Sequence, residues 1–503
     1  MNSYWVDTTK NVKKYDRISK DIETEVCIIG GGITGVSIAY KLLKQNLKVT
    51  LLEKGVIGMQ TTGNSTAKIT SQHGLFYKYL KISKGEEFAK MYYEANETAI
   101  RDMEQIIEKE KIECNLEKEN SYVVATKEEE VQKIKDEVDT VKSFGGDVRY
   151  IDKEEIDKKL PTLKPLAGIE FENQAQFNPY KYVTELAKIC NDLGAEIYEN
   201  TKAVDVKNKD DYYFVETEDG YVIKAKYLVI STKYPIVNMP GFYFMKMYQS
   251  TSYGISMRVN EKLIDGMYIT STNPKISLRM AKDESGYVLI VVGSDHKTGE
   301  KIDLTNSYKS LENVAKKICP EGKIKNYWNT EDCITLDKIP YIGKFSTMWE
   351  NAYVATGFNK WGITTSNIAS SIITDMITKR KNRYEDIFTS TRVEPIKNKQ
   401  ELGEMLKETV NSLIVKKLVL PDTEKENLKV EEGKIIEIDG EKIGAYKDKE
   451  GKIYMVAPKC AHLGCELTWN NLEKTWDCPC HGSRYDYTGK MLYGPTVKDL
   501  YKI

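Results

Sequence analysis

The residues of this chain best suited to hold a metal lie close to its end. Cys460-x-His462 and Cys478-x-x-His481 form two short hooks with 15 residues between them, and Cys465 and Cys480 fall beside them. Four of the nine cysteines and two of the four histidines thus lie between 460 and 481. Two such hooks on successive loops can hold a zinc ion or an iron–sulfur centre. Zinc accounts for the ligands but not for the strings around them, CAHLGCELTW and CPCHGSRYD, nor for the later Gly494-Pro495. The other cysteines (Cys27, Cys114, Cys190, Cys319 and Cys333) are scattered and read as buried small hydrophobes.

A second constellation lies near the start. Gly30-x-Gly32-x-x-Gly35 follows an apolar run, Ile33 and Thr34 open a helical pattern, and Glu53-Lys54 ends the next apolar run. Glycines at this spacing allow a tight turn and let backbone approach a pyrophosphate at a helix N-terminus. An acid at the position of Glu53 can accept ribose hydroxyls. The fingerprint alone does not separate NAD from FAD. It occurs once, which disfavours a reductase with separate FAD and NADH domains.

The elements that must position these residues follow from periodicity. VCII and VTLL read as strands flanking the helix VSIAYKLLKQ. Long charged stretches from about 85 to 160 read as helices. QFNPYKYVTELAKICNDLGAEI reads as a helix leading into a strand, 236–330 as strand-rich, and 353–377 as strand, glycine loop, helix. Composition shifts after about 385, where a connector over 386–412 carries one amphipathic helix. Beyond 413, short strands are broken by turns at Gly440 and Gly451. The expected organisation is an oxidoreductase domain over 1–385 with substrate-side insertions at about 86–160 and 236–330, the connector, and a small all-β domain over 413–503.

Composition narrows the function class. The 503 residues carry 74 basic and 75 acidic side chains, spread along the chain, which argues against a nucleic-acid or anionic-membrane surface. The polar start lacks a signal-peptide pattern, and no run of about 18 apolar residues suggests a membrane span. The expectation is a cytoplasmic protein.

The cluster strings resemble the Rieske family, particularly its high-potential members in respiratory and photosynthetic cytochrome complexes, over about 413–503. The resemblance implies a 2Fe–2S cluster with Cys460 and Cys478 on one iron and His462 and His481 on the other. It also implies a disulfide between Cys465 and Cys480, and Ser483 and Tyr485 as hydroxyl donors to the cluster sulfurs. Neutral imidazoles in place of two thiolates make such a cluster easier to reduce, over roughly −150 to +300 mV. Donors to sulfur stabilise the reduced form, so the upper half of that range is expected.

Over about 20–385, the glycine fingerprint, TTGNSTAK, FNP at 177–179, TKAVDV, YLVIST and YVATGFNKWGITTS look, in that order, like the D-amino-acid oxidase superfamily of FAD enzymes, which includes glycine and sarcosine oxidases. The resemblance implies an α/β Rossmann-like FAD-binding domain with a mixed α+β substrate domain. By position, Val204 and Thr232 fall in the later FAD segments, Val204 on the adenine side. Thr61, Thr62, Ala67 and Lys68 line the loop near the flavin ring, and Gly357, Asn359, Trp361, Gly362 and Thr364 approach it from the C-terminal loop. Many relatives carry a Ser-Gly-Arg-Asn-like string where this chain has TTGNSTAK.

Substrate binding is expected from the strand-rich part. An arginine commonly pairs with the carboxylate of an amino-acid substrate, which makes Arg258 and Arg279 candidates beside their reading as ordinary ion pairs. His73 and His296 have structural readings as well as catalytic ones. The expected function is a flavin-dependent dehydrogenase of a small amine, amino acid or hydroxy compound. Electrons would leave FAD through the cluster to a quinone, a cytochrome or another redox protein. The alternative is a redox relay or sensor without turnover. A Rieske oxygenase is rejected because His73 and His296 are not spaced to hold a mononuclear iron.

Overall fold

The strand Ile22–Ile29 sits at the centre of an eight-stranded sheet because both of its faces are apolar at its C-terminal half. It runs parallel to Val222–Ile230 on one side and Val49–Leu52 on the other, in the register Cys27↔Leu228 and Val26↔Val49. Glu196–Tyr198 and Ala352–Thr356 extend the parallel part. Strands covered on both faces read as unbroken apolar runs, which is why VCII, VTLL and YLVI lack alternation. The helix Ile33–Leu43 follows the glycine turn and packs on the helix Gly362–Ile377, where the hydroxyls of Thr34 and Ser366 meet at 2.7 Å.

This computed structural model describes residues 2–237, 239–392, 428–438 and 441–503. The expected amphipathic helix of the connector, the first residues of the C-terminal domain and the turn at Gly440 lie outside them.

A second eight-stranded sheet, antiparallel but for one pair, is built on Met247–Val259 and Lys323–Thr335. Helices Glu86–Lys109, Glu128–Ser143 and Ser307–Ile318 accompany it. The region read as helical over 85–160 also contributes the strands Ser121–Ala125 and Val148–Ile151 to this sheet. Each is too short to show a period of its own between two charged helices. His296 lies near the end of the strand Gly286–Lys297.

The C-terminal domain is all β: Gly433–Ile438, Glu441–Lys447 and Ile453–Val456 form one sheet, and four three-residue strands between 468 and 493 form another. The fold is thus a Rossmann-like α/β domain with a mixed α+β second domain, followed by a small all-β domain.

Candidate functional site

At the C-terminal ends of the parallel strands lies an elongated cavity, the place where an open α/β sheet binds its ligand. Gly30, Gly32, Ile33, Thr34, Glu53, Lys54, Thr61, Thr62, Lys68, Thr232, Gly357, Trp361, Gly362 and Thr364 line it. Gly30 has φ +113°, and a Cβ there would stand 3.0 Å from the Ser231 carbonyl, so the turn requires glycine. The Thr62 hydroxyl accepts from the Ile33 N–H at 3.0 Å, tying the ring loop to the helix start. Glu53 accepts from the N–H groups of Gly31 (2.8 Å) and Gly55 (2.9 Å), which fixes its carboxylate at the glycine turn. Burial pushes its pKa up against those two bonds.

Four expected cofactor residues stand outside the lining, each for a local reason. Gly35 is a packing glycine: a Cβ there would meet the Gly30 carbonyl oxygen. Val204 is displaced by strand alternation, and its neighbour Ala203 faces the cavity instead. Ala67, at φ +60°, turns its carbonyl to Arg279. Asn359 holds its own loop, accepting from Thr335 N at 2.9 Å and donating to the Gly357 carbonyl at 3.0 Å.

The structure corrects the expectation for both arginines. Arg258 forms a two-pronged ion pair with Asp283 at 2.7 and 2.8 Å, away from the cavity, and Tyr4 also donates to that carboxylate. Arg279 is buried, donates to the carbonyls of Ala67, Thr66 and Phe177, and stacks on Trp5 with 4.8 Å to the ring centroid. Neither arginine lines the cavity. His73 is also buried behind the lining, stacked on Trp361 at 4.7 Å and bonded through Nδ1 to the Tyr92 hydroxyl at 3.0 Å.

Lys68 is the cavity cation that the ring loop does provide. It is buried, and its ammonium donates to the Tyr268 carbonyl at 2.8 Å. Burial, reinforced by Arg279, lowers its pKa to about 7. Of the other cavity lysines, Lys202 pairs with Glu218, Lys233 with Glu331 and Lys360 with Asp295, and Lys54 donates to the Leu492 carbonyl.

The two cysteine hooks of the C-terminal domain are built alike. Gly464 N donates to the Cys460 carbonyl at 2.8 Å and Gly482 N to the Cys478 carbonyl at 2.9 Å, each glycine having φ near +80°. A disulfide joins Cys465 to Cys480 and ties the hooks together. The imidazoles of His462 and His481 lie 5.0 Å apart at 89°, and the buried Nδ1 of His481 has no hydrogen-bond partner. Burial holds both imidazoles neutral, His462 at about 4 and His481 at about 3, the form a metal ligand needs. The Tyr485 hydroxyl accepts from Ala461 N at 3.0 Å, which leaves its own hydrogen for Cys460 Sγ at 3.4 Å. The Cys460 thiol is pulled below its usual value by Cys478 first, with the Tyr485 and Ser483 hydroxyls acting the same way. An orphaned imidazole nitrogen, two converging sulfurs and hydroxyl donors to sulfur fit a Rieske cluster.

The domains meet at these two sites. Met491, Tyr493, Gly494, Pro495, Thr496 and Val497 line the same cavity as the glycine turn. Phe244 sets its ring edge-on to both His462 (5.8 Å) and His481 (5.7 Å). Gln249 Nε2 reaches the carbonyls of His481 (3.1 Å), Gly482 (2.9 Å) and Gly494 (2.5 Å). Arg484 pairs with Asp477 in its own domain and with Glu331 across the junction. Sequence reasoning missed Phe244, Gln249, Glu331 and Tyr493, because no motif marks them and their partners across the junction are more than 150 residues away.

Fold and site together define a flavoprotein oxidoreductase carrying a second, iron–sulfur redox centre. Residues 25–376 match the family FAD dependent oxidoreductase (DAO), and residues 419–503 match the Rieske 2Fe-2S domain. The chain belongs to this FAD-dependent oxidoreductase family, with a Rieske domain appended; the first part binds FAD and the second a 2Fe–2S cluster. A Bacillus subtilis protein whose name describes it as a Rieske 2Fe-2S iron-sulfur protein, YhfW, is 35% identical over all of this chain and 97% of its own. Glycine oxidase of the same organism is 24% identical over 71% of this chain and 94% of its own. The crystal structure of glycine oxidase from Geobacillus kaustophilus superposes with a TM-score of 0.64 at 18% identity, covering 74% of this chain and all of the other. The cytochrome b6-f complex iron-sulfur subunit 1 of Nostoc is 51% identical over 47 residues, 9% of this chain and 26% of its own. Among the described residues no helix is long and apolar enough to cross a membrane.

Proposed function

We propose that this chain is a dehydrogenase of a small amine, amino acid or hydroxy compound that delivers electrons through the cluster to an external acceptor, a quinone, a cytochrome or another redox protein. The observation that carries this reading is the shared cavity: the loop 491–497 beside the cluster hooks lines the same space as the flavin fingerprint. Bound FAD supplies the two-electron oxidation, and the cluster supplies an outlet in single electrons. The chain's own residues orient the donor and handle its proton. Trp361 and Thr364 on one side and Thr61, Thr62 and Lys68 on the other bound the ring end of the cavity. Lys68 Nζ, with a pKa near neutrality and one carbonyl partner, is the group that takes a proton from an ammonium or hydroxyl donor. A cytoplasmic location is part of the proposal, and cell fractionation tests it.

The test is an anaerobic titration of the purified protein with amines, amino acids, hydroxy acids and NADH, following flavin absorbance and the cluster's low-temperature EPR signal. Bleaching by one donor, then growth of a Rieske-type signal, is the expected result. Fast reoxidation by oxygen with stoichiometric peroxide, the cluster staying oxidised, overturns the proposed electron route. The second reading, a relay or sensor without turnover, is favoured by the withdrawal of Arg258 and Arg279 from the cavity; reduction by dithionite alone selects it.

A further inference from the structure

We propose that the Rieske domain completes the FAD site: residues 491–497 form the outer wall of the dinucleotide cavity, so FAD binding and domain docking stabilise each other. The inference rests on FAD occupying the cavity, and it goes beyond electron transfer by giving the second domain a part in holding the cofactor.

Three observations converge on it. The first is the wall itself, in which Tyr493, Gly494, Pro495 and Thr496 share the cavity with Gly30 and Thr34. The second is the seam on the dinucleotide side. Lys54, next to the glycine-turn acid Glu53, donates to the Leu492 carbonyl at 2.6 Å, and the Tyr493 ring lies 5.5 Å from Lys54 Nζ and 4.1 Å from Lys233 Nζ. Lys54 and the Glu331-paired Lys233 thus stand where the walls meet, beside the glycine turn. The third is the clamp. Gln249 reaches three carbonyls of the Rieske domain, and Gly299 lies so close to Cys478 that a Cβ there would approach its backbone to 2.6 Å.

A ligand that touches both walls binds the docked arrangement better than the undocked one. By linkage, FAD then strengthens docking by the factor by which docking strengthens FAD binding. Undocking removes one wall of the cavity, so FAD is expected to leave faster when docking is weakened.

The experiment uses the full-length, cluster-loaded protein with FAD and after FAD removal, a flavin absorbance band first establishing that FAD is bound at all. Amide hydrogen exchange at 491–497 is expected to slow when FAD is present. In Gln249→Ala, whose side chain does not line the cavity, FAD release followed by recovery of free-flavin fluorescence is expected to be about ten-fold faster, the size of one or two lost hydrogen bonds. Exchange at 491–497 that is the same with and without FAD overturns the proposal, as does unchanged FAD release in a variant that keeps its cluster absorbance. If Gln249→Ala loses its cluster through misfolding, the exchange comparison on the unmodified protein decides alone.

Discussion

Arg484 of the Rieske domain and Glu331 of the flavin domain form an ion pair across the domain junction, each side chain 1% exposed. Asp477 pairs with Arg484 on one side and Lys233 with Glu331 on the other, so the pair is held within a small charge network. Burial alone would push Glu331 up, but Lys233 and Arg484 outweigh it and hold the carboxyl below its usual range. A charge left alone here has no water to turn to, and removing one partner of such a pair costs about 3–5 kcal/mol.

Glu331→Gln is therefore expected to loosen the junction rather than either domain. Calorimetry should resolve one cooperative transition into two, with the Rieske part melting first. A double-mutant cycle with Arg484→Met should return a coupling of at least about 1 kcal/mol. A single unshifted transition in Glu331→Gln would show that the junction contributes nothing to stability.

Tyr485→Phe and Ser483→Ala test the tuning of the cluster. The Tyr485 hydroxyl is positioned to donate to Cys460 Sγ because Ala461 N already occupies its oxygen. A hydrogen bond worth about 1 kcal/mol more in the reduced form corresponds to about 40 mV for a one-electron couple. Redox titration followed by EPR is expected to show the midpoint falling by about that amount in Tyr485→Phe. An unchanged midpoint in both variants removes these hydroxyls from the tuning of the cluster.

Both redox centres were legible in the sequence because their chemistry is local. The hooks at 460–465 and 478–483 need only short loops, and the glycine turn at 30–35 lies within one strand–turn–helix unit. What joins them was not legible. Gln249 and Gly482 are 233 positions apart, and Glu331 and Arg484 are 153 apart; no periodicity links them. The arginines misled for a related reason. Arg258 and Arg279 sit on strands of the second sheet, but Asp283 and the carbonyl of Ala67 claim them, and those partners are set by tertiary packing. The N-terminal helix Tyr4–Thr8, read as a polar start, similarly buries Trp5 beneath the ring loop, its indole donating to the Ser65 carbonyl.

His73 gives a pH prediction that needs no substrate. Burial lowers its pKa from 6.5 to about 3, so the folded state resists a proton that the unfolded chain accepts. Stability is then unaffected by His73 above pH about 6.5 and declines as pH falls from there toward 3, by up to about 1.4 kcal/mol per pH unit. Other groups titrate in the same range, so the informative quantity is a difference. Between pH 6 and 4, His73→Phe is expected to lose less stability than the unmodified protein in urea titrations. Parallel losses in the two would show that the imidazole takes up its proton in the folded state.

Lys68 connects stability to chemistry. Its folded pKa of about 7 lies below the 10.5 of the free side chain, so burial costs stability fully below pH 7, and that cost disappears as pH rises through 10.5. Lys68→Met keeps an unbranched side chain one atom shorter and removes the amine, so it is expected to stabilise the protein at pH 6 and to lose that advantage toward pH 10.5. The same neutral amine is the proposed acceptor of the donor's proton. Single-turnover flavin reduction by a competent donor should rise with pH to a plateau above about 7 in the unmodified protein. In Lys68→Met it should be slower by about 100-fold and should no longer follow a pKa near neutrality. A gain in stability at pH 6 together with an unaltered pH profile would leave Lys68 as a buried cation of the ring loop and assign the proton to another group.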